Sequence, residues 1–185
     1  MNDMKICYAG IGSRSITKKE EEIIQILAQQ MNRYNFYLYS GHAEGSDQAF
    51  ENATPSDHSV IFLPWDRFNY PFHAKYVYIK GDDPIGIDSV YRYHPAPDKL
   101  KRGGLACMSR NYFQIHGDES LGWPRVKFVI SCTDEKNGVY SGGTAQAIRI
   151  AKSLDIPVFN IRSKKWESEL NQFISALLSD FFEMK

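Results

Sequence analysis

KICYAGIGSRSITKKEEEIIQILAQQM, residues 5–31, decides the fold. Lys5 to Ala9 carries the β-formers Ile6 and Tyr8 and runs into Gly10-Ile11-Gly12-Ser13-Arg14, so it reads as a strand entering a tight loop. Thr17 is a good helix N-cap, and Glu20 three residues on completes a capping box. Ile23, Ile24, Leu27, Ala28 and Met31 then recur at helical spacing. Strand, glycine loop and helix in succession make the first half of a βαβ unit.

The same order returns downstream. Phe36 to Tyr39 reads as a second strand, 40–45 (SGHAEG) as its loop and Ser46 to Ala53 as a short helix; Val60 to Leu63 is a third strand. Val126 to Ser131 is a fourth, followed by Ser141-Gly142-Gly143-Thr144 and a helix with Ala145, Ala147, Ile148, Ile150, Ala151 and Leu154 on its apolar face. Pro157 to Ile161 is a fifth. Trp166 to Phe182 closes as an amphipathic helix carrying Leu170, Phe173, Ile174, Leu177, Leu178 and Phe181. Alternating strands and helices predict an α/β fold: a doubly wound, Rossmann-like parallel sheet of about five strands. Residues 64–104, rich in Pro, Gly, Asp and Tyr, fit the alternation poorly. They read as a long irregular insertion after the third strand, with one helix near Phe72 to Tyr78, suited to a lid or an oligomer contact. Ala106 to His116 resumes as helix.

A length of 185 residues fits a single domain over 1–185. Hydrophobic residues at 43% and charged residues at 24% are ordinary for a globular chain. Twenty-two Lys+Arg balance twenty-two Asp+Glu, so no global field draws the protein to nucleic acid or membrane. Cys7, Cys107 and Cys132 are odd in number and widely spaced, which argues against a disulfide framework and for a reducing, cytoplasmic compartment. No apolar run reaches the roughly 20 residues that span a bilayer, and none resembles an export signal.

In such sheets ligands bind beyond the carboxyl ends of the strands, where the strand order reverses. The unusual residues gather there: Gly10, Gly12, Ser13 and Arg14 after the first strand; Ser40, Gly41, Glu44, Gly45 and Asp47 after the second; Thr133 and Asp134, then Ser141, Gly142, Gly143 and Thr144, after the fourth. Glycines admit a ligand close to the backbone, and N–H groups at a helix N-terminus stabilise an anion such as phosphate. Arg14 would clamp the phosphate, and Glu44 or Asp47 would accept hydrogen bonds from ribose. Taken singly, each loop reads equally well as a turn or a helix cap; together they are a matched set. Met108-Ser109-Arg110-Asn111 is a second cluster, which either reaches the crevice or makes a surface ion pair.

AGIGSR, SGHAEGSDQAFE, SRNYFQIHG and YSGGTAQAIRIAK, in that order, resemble the SLOG superfamily of Rossmann-like proteins. It contains DprA/Smf, the LOG-type nucleotide phosphoribohydrolases and sensor domains for nucleotide-derived signals; in style the chain resembles small stand-alone DprA-like proteins of bacteriophages, which implies a bacterial host cytosol. The match leaves out 64–104. It implies that Gly10, Gly12, Ser13 and Arg14 form a first phosphate loop, that Ser40, Gly41, Gly45 and Asp47 match the second motif, that Arg110-Asn111 match the Arg-Asn of DprA and the arginine of LOG enzymes, and that Gly142, Gly143 and Thr144 match the last loop. LOG enzymes follow this last loop with a catalytic glutamate, whereas here Ala145, Gln146 and Ala147 come after Thr144. The resemblance therefore implies binding more than hydrolysis.

His42, His58, His73, His94 and His116 form no metal motif, and neither a metal nor a resident cofactor is expected. His42 sits where a ligand would pass, though a loop histidine is more often solvated. Cys132 reads as a buried structural thiol rather than a nucleophile. Lys99, Lys101, Arg102 and Arg110 with Tyr91 and Tyr93 are the one basic stretch suited to single-stranded DNA, set against zero net charge and interleaved aspartates. The expected function is binding of a nucleotide or nucleotide-derived signal, such as a cyclic nucleotide or an ADP-ribose compound, which the protein would sense or sequester. The alternatives are an N-glycosidic phosphoribohydrolase using Glu44, Asp47 or Arg110, and a DprA-like DNA-binding module. A homo-oligomer, dimer or higher, is expected.

Overall fold

The computed structural model describes residues 5–140 and 142–183. In chain order the elements are β1 (Cys7–Gly12), α1 (Lys18–Arg33), β2 (Tyr37–Ser40), α2 (Ser46–Asn52), β3 (Ser59–Leu63), β4 (Tyr76–Ile79), α3 (Pro84–Tyr93), α4 (Arg102–His116), β5 (Phe128–Cys132), β6 (Glu135–Lys136), β7 (Val139–Tyr140), α5 (Gly142–Ser153), β8 (Val158–Asn160) and α6 (Trp166–Glu183). Six strands form one sheet in the order β4-β3-β2-β1-β5-β8. Every pairing in it is parallel. The chain builds outward from β1 to β4, then returns across the sheet to pair β5 on the other side of β1. That reversal leaves a crevice beyond the carboxyl ends of β1 and β5.

Successive residues of β1 serve opposite faces of the sheet, so the strand is apolar throughout. Tyr8 joins Ile24, Phe36, Phe50 and Phe128 under α1, α2 and α6. Cys7 and Ala9 join Tyr39, Phe62, Phe113 and Ile150 under α4 and α5. The expected capping box opens α1: the Thr17 side chain accepts from Glu20 N–H, and the Glu20 carboxylate accepts from Thr17 N–H. The side chain of Phe181 lies outside the described residues.

The stretch after β3 departs from expectation. Instead of a helix near Phe72 to Tyr78 there is an edge strand: Val60, Ile61, Phe62 and Leu63 pair with Tyr76, Val77, Tyr78 and Ile79. Alternating aromatic and β-branched residues fit a pleated surface better than a helix, and the sheet gains a sixth strand. A helix does follow, as α3, started by Asp83, whose carboxylate accepts from Ile85 N–H, and by Pro84 in the first turn. Helix α4 begins at Arg102, four residues before the expected Ala106, and β6 and β7 form a small antiparallel hairpin the sequence did not announce. Among the described residues no helix is long and apolar enough to cross a membrane.

Candidate functional site

The crevice encloses about 560 Å³. Its first wall is the end of β1. A Cβ on Gly12 would collide with the Cys132 carbonyl and the Ser46 side chain, so three chain segments meet here only because this residue is glycine. Ser13 N–H donates to the Cys132 carbonyl (2.7 Å), while Ser46 donates to the Ser13 carbonyl from both its N–H (3.0 Å) and its hydroxyl (2.9 Å). Gly12, Ser13 and Arg14 line the crevice. Because the Ser13 amide is spent on β5, the loop offers a ligand the Ser13 hydroxyl and the Arg14 guanidinium. Gly10 lies behind it, where a side chain would overlap Phe50 and Leu38, and the Ser40 hydroxyl donates to the Gly10 carbonyl (2.8 Å). These two residues build the wall without lining it.

The floor is a buried ion pair. Arg110 Nη1 lies 3.7 Å from Asp47 Oδ2, with the two side chains 6% and 5% exposed. A Cβ on Gly41 would overlap the Arg110 guanidinium, which explains the glycine beneath it. With its amide oriented to satisfy both ends, Gln114 accepts from Gly41 N–H (2.8 Å) and Arg110 Nη1 (3.1 Å) and donates to Asn111 Oδ1 (2.9 Å). The guanidinium also lies 5.6 Å from the centre of the Phe68 ring. Its Nε has no partner. Burial pushes the Asp47 carboxyl up to about 6, against the pull of Arg110 and of the Ala43 and Gly41 amides, and the nearby Glu51 adds to the rise.

The opposite wall is the start of α5. Gly142, Gly143 and Thr144 line it, and Asn111 Nδ2 donates to the Gly143 carbonyl (3.0 Å), which ties α4 to α5 beside Arg110. Ser141 lies outside the described residues. Ala147, where the resemblance puts the absent glutamate, lines the crevice with a methyl group. Thr133 is set by Asn160, which accepts from its N–H (3.1 Å) and donates to its carbonyl (2.9 Å). Asp134 is on the rim, held by Arg162 (2.9 Å), which also binds Glu20 (2.7 Å) and the Ser15 carbonyl (3.0 Å). That arginine holds the Glu20 carboxyl at about 2, well below the usual range.

Of the residues expected from sequence, Gly12, Ser13, Arg14, Asp47, Arg110, Asn111, Thr133, Gly142, Gly143 and Thr144 come together around one crevice. Gly10, Ser40, Gly41, Glu44 and Gly45 are not on its surface; Glu44 is exposed, and Gly45 caps α2 with φ of 81°, packed on the Ser13 and Arg14 carbonyls. Gln114, Cys107, Gly104 and Gly103 were missed, although they fall on the same helical face as Arg110 and Asn111. Trp65 was missed too; its signal was its position immediately beyond a strand end, two residues after Leu63.

His42 is not solvated. It is buried at a left-handed φ of 57°, its Nδ1 is 2.6 Å from Glu51 Oε2, and its Nε2 is 2.9 Å from the Asn69 carbonyl. Burial lowers its pKa, but the Glu51 contact and the Asn69 and Pro71 carbonyls outweigh this and hold it above the ordinary value. Cys132 is buried, and desolvation pushes its thiol up to about 11, so it is no nucleophile at neutral pH. Among the described residues no three His, Cys, Asp or Glu side chains gather as a metal site.

No protein-family model and no curated protein matches the sequence. Solved structures do match in fold. DNA processing protein A from Helicobacter pylori, known for a single-stranded DNA binding mode, superposes with a TM-score of 0.59 at 22% identity, over 96% of this chain and 82% of that one. The Moco carrier protein of Chlamydomonas rheinhardtii superposes with a TM-score of 0.52 at 12% identity, over 94% of this chain and 84% of that one. The chain has the Rossmann-like fold of these two proteins, in agreement with the SLOG resemblance of its motifs.

Proposed function

We propose that the protein binds a nucleotide or a nucleotide-derived small molecule, with its phosphate between Arg14, Arg110 and the start of α5. One observation carries this reading: Arg110 is buried at the floor of an open crevice with its Nε unpartnered. A buried guanidinium short of partners is costly, and a phosphate is the bidentate acceptor that relieves it. The dipole of α5 adds to the attraction.

The test is to incubate the protein with nucleoside monophosphates, ADP-ribose compounds and cyclic dinucleotides, then identify by mass spectrometry what is retained and what is cleaved. Intact retention is expected, and Arg110→Met is expected to weaken it a hundredfold or more. Retention unaffected by Arg110→Met would defeat the reading.

A second reading rests on Asp47, a carboxyl in the crevice whose pKa of about 6 suits proton transfer near neutrality. It makes the protein a nucleotide N-glycosidase. Release of free base, abolished by Asp47→Asn while binding persists, would establish it. The Helicobacter protein binds single-stranded DNA, and here exposed Lys99, Lys101 and Arg102 precede the crevice glycines of α4. Oligonucleotide binding that weakens steeply with salt would favour that partner over a small molecule.

A further inference from the structure

We infer that Trp65 is the base platform of this crevice, so that its ligand carries a planar heteroaromatic ring at the end away from α5. This rests on the phosphate reading above and adds the other half of the ligand. Trp65 is 43% exposed, an unusual state for the largest apolar side chain, and it lines the crevice. It is held from behind: Phe68, buried, meets it edge-on with ring centres 5.0 Å apart. Phe68 in turn carries the Arg110 guanidinium on its ring. Trp65 and the Arg110 guanidinium are thus joined through the one ring of Phe68 at the same crevice.

The wall beside Trp65 supplies an independent observation. Gly103 and Gly104, in the first turn of α4, both line the crevice. Neither is required by the fold. A Cβ on Gly103 would meet nothing nearer than the Trp65 ring at 3.8 Å, and one on Gly104 nothing nearer than Leu100 at 3.5 Å; neither residue has the positive φ that demands glycine. Consecutive glycines in a helix weaken it, so their use here is explained by the bare helix backbone they present to the crevice beside Trp65. A flat ring lies on the exposed surface of Trp65, its edge toward a helix turn that carries no side chain there. Base–aromatic stacking tolerates any base, so the platform selects for a base rather than for one base.

The experiment compares ribose 5-phosphate with AMP, GMP, CMP and UMP by calorimetry on the intact chain, on Trp65→Ala and on Trp65→Phe. The wild type is expected to bind at least one nucleotide roughly ten- to a hundredfold more tightly than ribose 5-phosphate. Trp65→Ala is expected to erase that preference without changing the affinity for ribose 5-phosphate, and Trp65→Phe to keep most of it. Equal binding of all five ligands by the wild type would overturn the base platform and leave the phosphate site standing. A Trp65→Ala protein that loses ribose 5-phosphate as severely as the nucleotides would also overturn it, by making the side chain a prop for the loop. No binding of any of the five, together with no retention of ADP-ribose compounds or cyclic dinucleotides, would defeat both readings.

Discussion

Asp47 keeps its proton up to about pH 6, mainly because it is buried. An unfolded chain ionises its aspartates near pH 4. Between about pH 4 and 6 the folded state therefore holds a proton that the unfolded state has lost, and stability falls as pH rises through that window. Denaturant midpoints for the wild type should drop by about 2 to 3 kcal/mol equivalent from pH 4 to 6, and Asp47→Asn should flatten the drop. The neighbouring windows are separate. Glu20, lowered to about 2, contributes stability that is present above pH 4 and lost as pH falls toward 2. His42, raised above 6.5, contributes stability that is full below that value and lost as pH climbs through its folded pKa. Affinity for an anion should follow Asp47 as well, weakening as its carboxylate forms beside Arg110. A sulfate Kd that stays constant from pH 5 to 7, where sulfate itself does not titrate, would count against the floor of the site. Asp47 and Arg110 were legible in sequence because each falls in a recognisable motif. The Gly41 notch under the guanidinium was not, since it joins a loop to a helix far along the chain, and the Phe68–Trp65 contact was not, since it forms inside a stretch that read as irregular.

Helix α4 concentrates most of what the site needs on one face, and its first turn is its weakest part. Lys101 precedes it without a side-chain cap, and no acidic residue stands in the first turn. Gly104→Ala should stabilise the protein by up to about 1 kcal/mol, because helix propensity improves and the new methyl meets only an ordinary contact. If the open wall serves a ligand, the same change should weaken nucleotide binding several-fold. A rise in Tm with unchanged affinity would assign the glycine to some other role. At this scale the sequence was readable wherever an element carried its own punctuation, as at Thr17 and Glu20 of α1. Strand β4 was misread because three half-buried residues and an exposed Ile79 at a sheet edge give little contrast between faces. Helix α3 did carry a start signal in Asp83-Pro84, hidden in a stretch whose composition resembled a loop.

The whole molecule turns on the seam between β1 and β5, where the two halves of the sheet meet. Alternation of strands and helices was enough to foresee a doubly wound parallel sheet with its crevice at the strand ends, though not which strands pair at the seam. The tie across its upper end was not foreseeable: Arg162, just past β8, reaches Glu20 and Ser15 near α1 and Asp134 after β5. Arg162→Met should cost about 1 to 3 kcal/mol in chemical denaturation, since charge-assisted hydrogen bonds of a partly buried guanidinium are lost together. It should also loosen the rim at Asp134 and lower ligand affinity. Unchanged stability would mean that these contacts are replaced by water.

The same seam sets an order of assembly. Ser13 leaves the ribosome long before Cys132, the residue that accepts its amide hydrogen. During synthesis β1 can pair with β2, and β3 with β4, while the other side of β1 waits as an open, apolar edge made of Cys7–Gly12. Such edges are where nascent chains join one another. The β1 edge therefore stays open until β5 has been made, and the crevice between them comes into being only then.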